Sequence, residues 1–312
     1  MKKTFIYIMT FFLLINSTYI AKASNMDINA ASLNANEYDI KMKQDLLCLM
    51  MAYPEYIKDI NCDENNHVYL VMKSGKKILY DDKKVKTPEQ KLENADLQDT
   101  LEQAYPLTSI CKLMDKDYDP GRYRSYELLK EVYGSSKQQI EKNLKSVNLK
   151  YTHVLFNNNN KAAEALGSAM ENLIPLSREN EAVRRCLFPC MGTFNYRLVA
   201  GTNRLSPHSF GIAIDLASDK RDYWKWSSPE QGEERLNSYS REVVETFEKN
   251  NFIWGGKWGH FDILHFEYRP EIILKAKYFA NVNGDKSLWY KGVNEKDTSI
   301  KEYIGKINEV LK

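Results

Sequence analysis

The chain has 312 residues, of which 43% are hydrophobic and 28% charged, and its formal net charge is +2. This length and balance exclude a disordered chain and allow one or two globular domains. A charge this close to zero also excludes a protein that binds nucleic acid through a strongly basic surface.

Residues 1–23 are typical of a secretory signal peptide. Two lysines, Lys2 and Lys3, precede an apolar run over residues 5–15, and Ala21-Lys22-Ala23 has the small-x-small form of a cleavage site. The run is shorter than the ~20 apolar residues of a bilayer span, so we expect cleavage after Ala23 rather than an uncleaved anchor. The mature chain, with 41 basic and 42 acidic side chains, is expected outside the cytoplasm without stable membrane insertion.

Residues 24–115 are predicted to form an N-terminal accessory lobe. The stretch "KQDLLCLMMAYPEYI" indicates a helix that ends near Pro54, and "HVYLVMKSGKKILYDDKK" indicates a hairpin around Ser74-Gly75. This unit is small and apolar on one side. We therefore expect a structural lobe that packs against a larger domain.

The larger domain is predicted over residues 116–275. It begins with two helical stretches separated by Gly134, and Ser135 with Gln138 has the spacing of a capping box. A further helix follows over "KAAEALGSAMENLI". The remainder, 276–312, is predicted as a helical tail, because "TSIKEYIGKINEVLK" has an apolar side that can dock on the protein body.

The five cysteines do not indicate a metal site. An odd number in an exported chain leaves at least one unpaired, or the chain is exported to where disulfides are little used. Cys186 and Cys190 in "CLFPC" have no second Cys pair or nearby His, so they are interpreted as buried thiols.

Three of the five histidines lie in two short segments, "SPHSFGIAID" (206–215) and "WGHFDILHFEY" (258–268). Strand alternation in "GIAIDL" puts small residues and Asp215 on one face and branched apolar residues on the other. In "DILHFEY" the same alternation puts His265 and Glu267 on one face. His208 precedes the first strand, where a bend can turn its imidazole toward Asp215.

Two imidazoles and a carboxylate provide the three protein ligands that a catalytic zinc site needs. His208, Asp215 and His265 are the candidate ligands of a Zn²⁺ cofactor. Asp262, three residues before His265, is the candidate base, with Glu267 as the next candidate. Two His and one carboxylate also describe the iron site of non-haem oxygenases, but export and the additional acid at position 262 argue against that chemistry.

These two segments, together with "TFNYRLVAGTNRL" before them, resemble the zinc D-alanyl-D-alanine carboxypeptidase family. That family includes vancomycin-resistance carboxypeptidases and L-alanyl-D-glutamate endopeptidases, and its pattern is Ser-x-His-x6-Asp followed by Asp/Glu-x-x-His. The pattern is present in order, and "DPGRYRSYELLKEVYG" extends the resemblance over about 116–275. The resemblance implies an α+β fold whose small antiparallel sheet carries the zinc, flanked by helices.

The resemblance also implies roles for residues near the ligands. It makes Asp262 the general base, where several relatives have Glu, and Ser206 a substrate contact. An arginine upstream of the first ligand stabilises the carbonyl oxygen, and Arg197 matches that position, with Arg204 as its rival. His260 remains open between a substrate contact, a residue that supports the ligands, and a surface histidine.

The function expected from these residues is an exported zinc metallopeptidase that hydrolyses peptidoglycan stem peptides. D-alanyl-D-alanine carboxypeptidase is the activity placed first. L-alanyl-D-glutamate endopeptidase activity and a catalytically silent cell-wall binding module are the alternatives. The intact ligand set and Asp262 argue against the silent module.

Overall fold

The computed structural model describes residues 37–280 and 288–311 and shows the α+β architecture that the sequence predicts. Within these ranges the strands form three small antiparallel sheets, and helices are the more abundant element. The predicted signal peptide, residues 1–23, lies outside the described residues. None of the helices within them is long and apolar enough to cross a bilayer.

The described part of the chain contains eight strands and eleven α-helices. The strands are β1 (Ile57–Cys62), β2 (Val68–Met72), β3 (Lys77–Leu79), β4 (Leu144–Asn148), β5 (His153–Asn157), β6 (Ala213–Asp215), β7 (Phe252–Trp254) and β8 (His265–Tyr268). The helices are α1 (37–52), α2 (Pro88–Asn94), α3 (Leu97–Leu101), α4 (Tyr126–Tyr133), α5 (Lys137–Lys142), α6 (Ala162–Glu179), α7 (Glu181–Leu187), α8 (Pro229–Ser238), α9 (Arg241–Lys249), α10 (Pro270–Phe279) and α11 (Thr298–Val310).

Residues 37–115, the described part of the predicted N-terminal lobe, contain α1, the meander β1-β2-β3, α2 and α3. Helix α1 buries Leu46, Leu47 and Leu49 and ends before Pro54, as predicted. The predicted hairpin is also confirmed, since β2 pairs with β3 across a turn in which Gly75 has φ +90°. Only glycine adopts that conformation without strain, and this fixes the position of the turn.

The two helices around Gly134 are confirmed as α4 and α5, but the predicted capping box is wrong by one residue. The cap of α5 is Ser136, whose side chain accepts a hydrogen bond from the backbone N–H of Gln139. The backbone N–H of Ser135 instead donates to the side chain of Gln139 over 2.9 Å. Gly134 and Ser135 complete the turn after α4, so the second serine is the one that reaches the helix start.

The sheet β6-β8-β7 has β8 at its centre, with antiparallel neighbours on both sides. Asp215 of β6 lies directly opposite His265 of β8, so both side chains lie on one face. The other face belongs to the core, where Phe266 stacks on Phe247 of α9 at a centroid distance of 4.4 Å. Strand β6 is shorter than "GIAIDL" predicts, because Gly211 takes a left-handed conformation with φ +68° before the strand begins.

The C-terminal helix α11 docks on the protein body, which confirms the helix predicted over "TSIKEYIGKINEVLK". It buries Ile300, Ile304 and Ile307 and packs against β1 of the N-terminal lobe. The Lys306 ammonium donates to the carbonyl of Lys58 on β1 over 3.4 Å.

All five cysteines have free thiols. Cys186 is buried and Cys190 half-buried, and burial raises the pKa of Cys190 to about 11. A thiol with such a pKa stays protonated at neutral pH and is a poor metal ligand. The structure therefore confirms a buried thiol at Cys186, whereas Cys190 is only half-buried.

Candidate metal centre

A short 3-10 turn, Pro207–Phe210, positions His208. Its backbone starts after Ser206 and ends at Gly211, where an added Cβ would lie 2.8 Å from the Leu144 side chain. The Nδ1 of His208 lies 2.6 Å from the carbonyl oxygen of Thr193. Because a carbonyl only accepts, Nδ1 carries the proton and Nε2 offers its lone pair. That Nε2 lies 3.2 Å from Asp215 Oδ1.

Asp215, at the end of β6, joins the two histidines. Its Oδ1 lies 2.7 Å from His265 Nδ1, and the ligand atoms of His208, Asp215 and His265 all lie within 4.8 Å of one another. Burial alone would raise the pKa of Asp215, but hydrogen bonds to His208 and His265 outweigh burial and hold that pKa well below its usual range. The structure therefore brings together the three predicted ligands.

His265 lies between two carboxylates. Its Nδ1 faces Asp215, and its Nε2 lies 3.0 Å from Glu267 Oε1. Burial opposes protonation, yet the hydrogen bonds to Asp215 and Glu267 prevail and raise the pKa of His265 to about 10. The site thus favours positive charge strongly, and a divalent cation bound through Nδ1 would supply that charge in place of the proton.

The donor set fits zinc. Two imidazole nitrogens and one carboxylate oxygen are zinc ligands, and three protein ligands leave one position for water or substrate. The His208 and His265 side chains are 6% and 7% exposed, whereas Asp215 is 28% exposed. Solvent therefore reaches the cluster at Asp215.

Asp262 lies in the turn just before β8. Its backbone N–H donates to the carbonyl of Gly255 over 3.0 Å, and its carbonyl accepts from the His265 N–H over 3.1 Å. Glycine is required at 255, since a Cβ there would lie 2.4 Å from the Asp262 carbonyl. Burial raises the pKa of Asp262 to about 6. A carboxyl group with that pKa can both take up and release a proton near neutral pH.

The two candidate arginines differ in their contacts. Arg197 is exposed, and its backbone runs beside the His208 turn, since its carbonyl accepts from Ser206 N–H over 3.0 Å and its N–H donates to Ser209 Oγ over 2.9 Å. Arg204 is instead paired with Glu93 on α2, at 3.0 Å from Nε. The guanidinium of Arg197 is thus the more available of the two, and Ser206 itself is buried at the start of the turn.

His260 is a half-buried residue held by Asp119 rather than a surface histidine. Both its backbone N–H and its Nδ1 contact the Asp119 carboxylate, at 2.9 and 2.7 Å. Its ring packs edge-on against Trp224 at 4.5 Å. Among the described residues, His260 is not part of the cluster that can hold a metal.

Sequence reasoning missed the residues behind the ligands. Arg124 binds the Glu267 carboxylate through Nε at 3.0 Å and through Nη2, and Thr193 orients His208. Burial alone would raise the pKa of Glu267, but Arg124 and His265 outweigh burial and lower it well below its usual range. Arg124 lies in "DPGRYRSYELLKEVYG", yet no local pattern there shows that it meets a residue of β8.

Comparison with known proteins supports the resemblance found in the sequence. Residues 200–268 match a family described as D-alanyl-D-alanine carboxypeptidase. The matched segment contains Ser206, the three ligands and Asp262, and it confirms the predicted similarity to that family. Arg197 lies outside it. No curated protein and no solved structure matches the chain.

Proposed function

We propose that this chain is an exported zinc metallopeptidase that removes the terminal D-alanine from peptidoglycan stem peptides. The observation that carries the proposal is the convergence of His208, Asp215 and His265 within the segment that matches the carboxypeptidase family. Asp262 belongs to the same segment, three residues before His265. The match supports a metal-dependent peptidase of that type. Zinc, export and the bond that is cleaved are our proposal.

Zinc held by these three side chains would polarise the scissile carbonyl and acidify the attacking water. Asp262 takes the proton from that water and passes it to the leaving amine. Its pKa of about 6 suits both steps, because the carboxylate is ionised at neutral pH and its conjugate acid is still acidic enough to donate. Arg197 places a positive charge near the carbonyl oxygen, where negative charge develops, and Ser206 contacts the substrate.

Digestion of defined muropeptides tests the proposal. Purified chain lacking residues 1–23, loaded with zinc, should shorten pentapeptide stems by one D-alanine, as seen by mass spectrometry of the products. His265→Ala, prepared in the same way, is the control for a contaminating peptidase. Cleavage between L-alanine and D-glutamate would favour the endopeptidase alternative. A zinc-loaded chain that binds cell wall without cleaving it would favour the silent module.

Export is the second part of the proposal. The signal features of residues 1–23 support it, and N-terminal sequencing of the chain recovered outside the cytoplasm should begin at Ser24. A recovered chain in which Ser24 is still joined to Ala23 would contradict cleavage at this position.

A further inference from the structure

We propose that Glu267 is a positioning residue that fixes the ring of His265 for metal binding, and that Arg124 holds Glu267 in place for this purpose. The inference rests on the proposed zinc site. It assigns a role to a buried ion pair that takes no part in the proposed chemistry of Asp262 and Arg197.

The first step is the contact between Glu267 and His265. The two residues are separated by one position on β8, so their side chains lie on the same face. Glu267 Oε1 lies 3.0 Å from His265 Nε2, and Asp215 lies 2.7 Å from Nδ1 on the opposite side of the ring. An ionised carboxylate only accepts, so Glu267 keeps the proton on Nε2 and leaves the Nδ1 lone pair for the metal.

The second step is the way in which Glu267 itself is held. Its side chain is fully buried, and Arg124 contacts both carboxylate oxygens, with Nε at 3.0 Å from Oε2. Arg124 is anchored in turn by donating from Nη1 to the carbonyl of Arg122 over 2.8 Å. A second guanidinium, that of Arg269, lies 3.7 Å from Oε2. Two cations stabilise the carboxylate in a fully buried position, where an unpaired charge would be costly.

The geometry also separates Glu267 from the role of base. Glu267 lies on the Nε2 side of the His265 ring, whereas Asp215 and the solvent-exposed edge of the cluster lie on the Nδ1 side. The His265 ring therefore lies between Glu267 and Asp215. Its contribution to catalysis acts through His265.

Metal affinity and ligand-field spectra of Glu267→Gln test the inference. We expect its zinc dissociation constant, measured by competition with a chromophoric chelator, to rise about 10- to 100-fold, the usual cost of losing a partner behind a ligand. The visible absorption of the cobalt-substituted protein should shift, because His265 loses its fixed orientation. Arg124→Lys keeps the positive charge but loses the two-pronged contact, and a smaller change in the same direction is expected.

Glu248→Gln is the matched control. Glu248 is a buried carboxylate bound by Lys257 at 2.6 Å, and its described contacts include neither His265 nor Glu267 nor the two arginines that hold Glu267. The control variant should lose thermal stability as Glu267→Gln does, while its zinc affinity and the spectrum of its cobalt-substituted form stay as in the wild type. The inference is overturned if Glu267→Gln keeps both wild-type properties, or if the control loses zinc equally.

Two further outcomes remain decisive. If Glu267→Gln does not fold, Arg124→Lys provides the same test, and wild-type zinc affinity in that variant overturns the inference. If the wild-type chain itself binds no zinc, the proposed function fails, and this result is distinguishable because it is obtained without any substitution.

Discussion

Two groups of side chains in the described residues bring three ligand atoms within 4.8 Å of one another, and they differ in what balances their charge. The first is the candidate metal centre of His208, Asp215 and His265. The second, here called the acidic cluster, consists of Asp81, Asp82 and Asp96 in the N-terminal lobe.

The acidic cluster already has its cation. The Lys86 ammonium lies 2.7 Å from Asp96 and 3.0 Å from Asp82, and it also contacts Asp99 at 2.6 Å. Burial opposes the charge of Lys86, but hydrogen bonds to Asp96 and Asp99 outweigh burial and raise its pKa above the usual range. The Lys86 ammonium thus neutralises these carboxylates, as a bound metal ion would.

In the candidate metal centre the partners of the Asp215 carboxylate are imidazoles. A metal ion can take the place of a proton on an imidazole nitrogen. Proximity of acidic groups therefore does not define a metal site. The type of donor atom and the source of positive charge decide it. Substitutions in the two groups should therefore differ in their effect on zinc binding.

His265→Ala should abolish zinc binding and hydrolysis, because two remaining protein ligands hold zinc poorly. Metal analysis after gentle purification and muropeptide turnover on the same preparation measure both effects, and the wild type should contain about one zinc per chain. Asp82→Ala in the acidic cluster is the matched change and should leave both at wild-type levels. Iron in place of zinc, or zinc lost from Asp82→Ala, would break the comparison.

Asp262→Asn should lower turnover by ~100-fold or more while zinc stays near full occupancy, since asparagine keeps the shape but cannot accept the proton. Parallel zinc and activity measurements separate this residue from the ligands. An active, zinc-loaded variant would mean that Asp262 only supports the turn before β8, because asparagine can accept the same hydrogen bonds.

Arg197→Ala should keep the metal and lower turnover by ~100–1000-fold, the typical loss for one group that stabilises the oxyanion. Arg204→Ala is its control, because this arginine is paired with Glu93 and should be dispensable for catalysis. Steady-state kinetics of both variants decide the assignment. The opposite pattern would transfer the role to Arg204.

The acidic limb of the pH profile should report Asp262. Burial raises its pKa to about 6, and the base works only when ionised, so kcat/KM should fall about tenfold per pH unit below the apparent pKa. The positive charge of bound zinc should lower the apparent pKa of Asp262 further. Zinc content must be followed across the same range. An identical limb in the residual activity of Asp262→Asn would contradict the assignment.

Lys86→Met should have the smallest effect on zinc binding and turnover. It removes the cation shared by Asp82, Asp96 and Asp99 and should lower the free energy of unfolding by about 3 kcal/mol, as is typical when one member of a buried ion pair is removed. Zinc content and turnover should not change. Thermal denaturation with and without zinc measures the difference, and a loss of zinc in this variant would show that the two groups are not independent.

The ligands could be predicted from the sequence because each lies in a short segment with a clear local pattern. Alternation in β8 placed His265 and Glu267 on one face, and the spacing around Asp215 identified its strand. The role of Glu267 could not be predicted in this way, since it depends on Arg124, a residue 143 positions away. A local pattern predicts which side chains share one face of a strand, but it does not predict which distant charged residues pair in the core.

The sequence also did not show at which residue a helix or strand begins after a short turn. Two adjacent serines follow Gly134, both suited to begin a helix, and only the folded backbone shows that Ser136 is the cap. Likewise, "GIAIDL" alternates over its whole length, yet Gly211 belongs to the preceding turn. In both cases the residue type was correct, and the local conformation of a glycine decided the boundary.

The buried charges behind His265 continue beyond Glu267. Arg269 binds Glu271, and Glu271 accepts a hydrogen bond of 2.6 Å from Tyr53, the residue that follows α1. A chain shortened to begin at residue 116 would lose Tyr53 and leave Glu271 without this hydrogen bond. The residues around the candidate metal centre therefore depend on the end of α1 for part of their buried support.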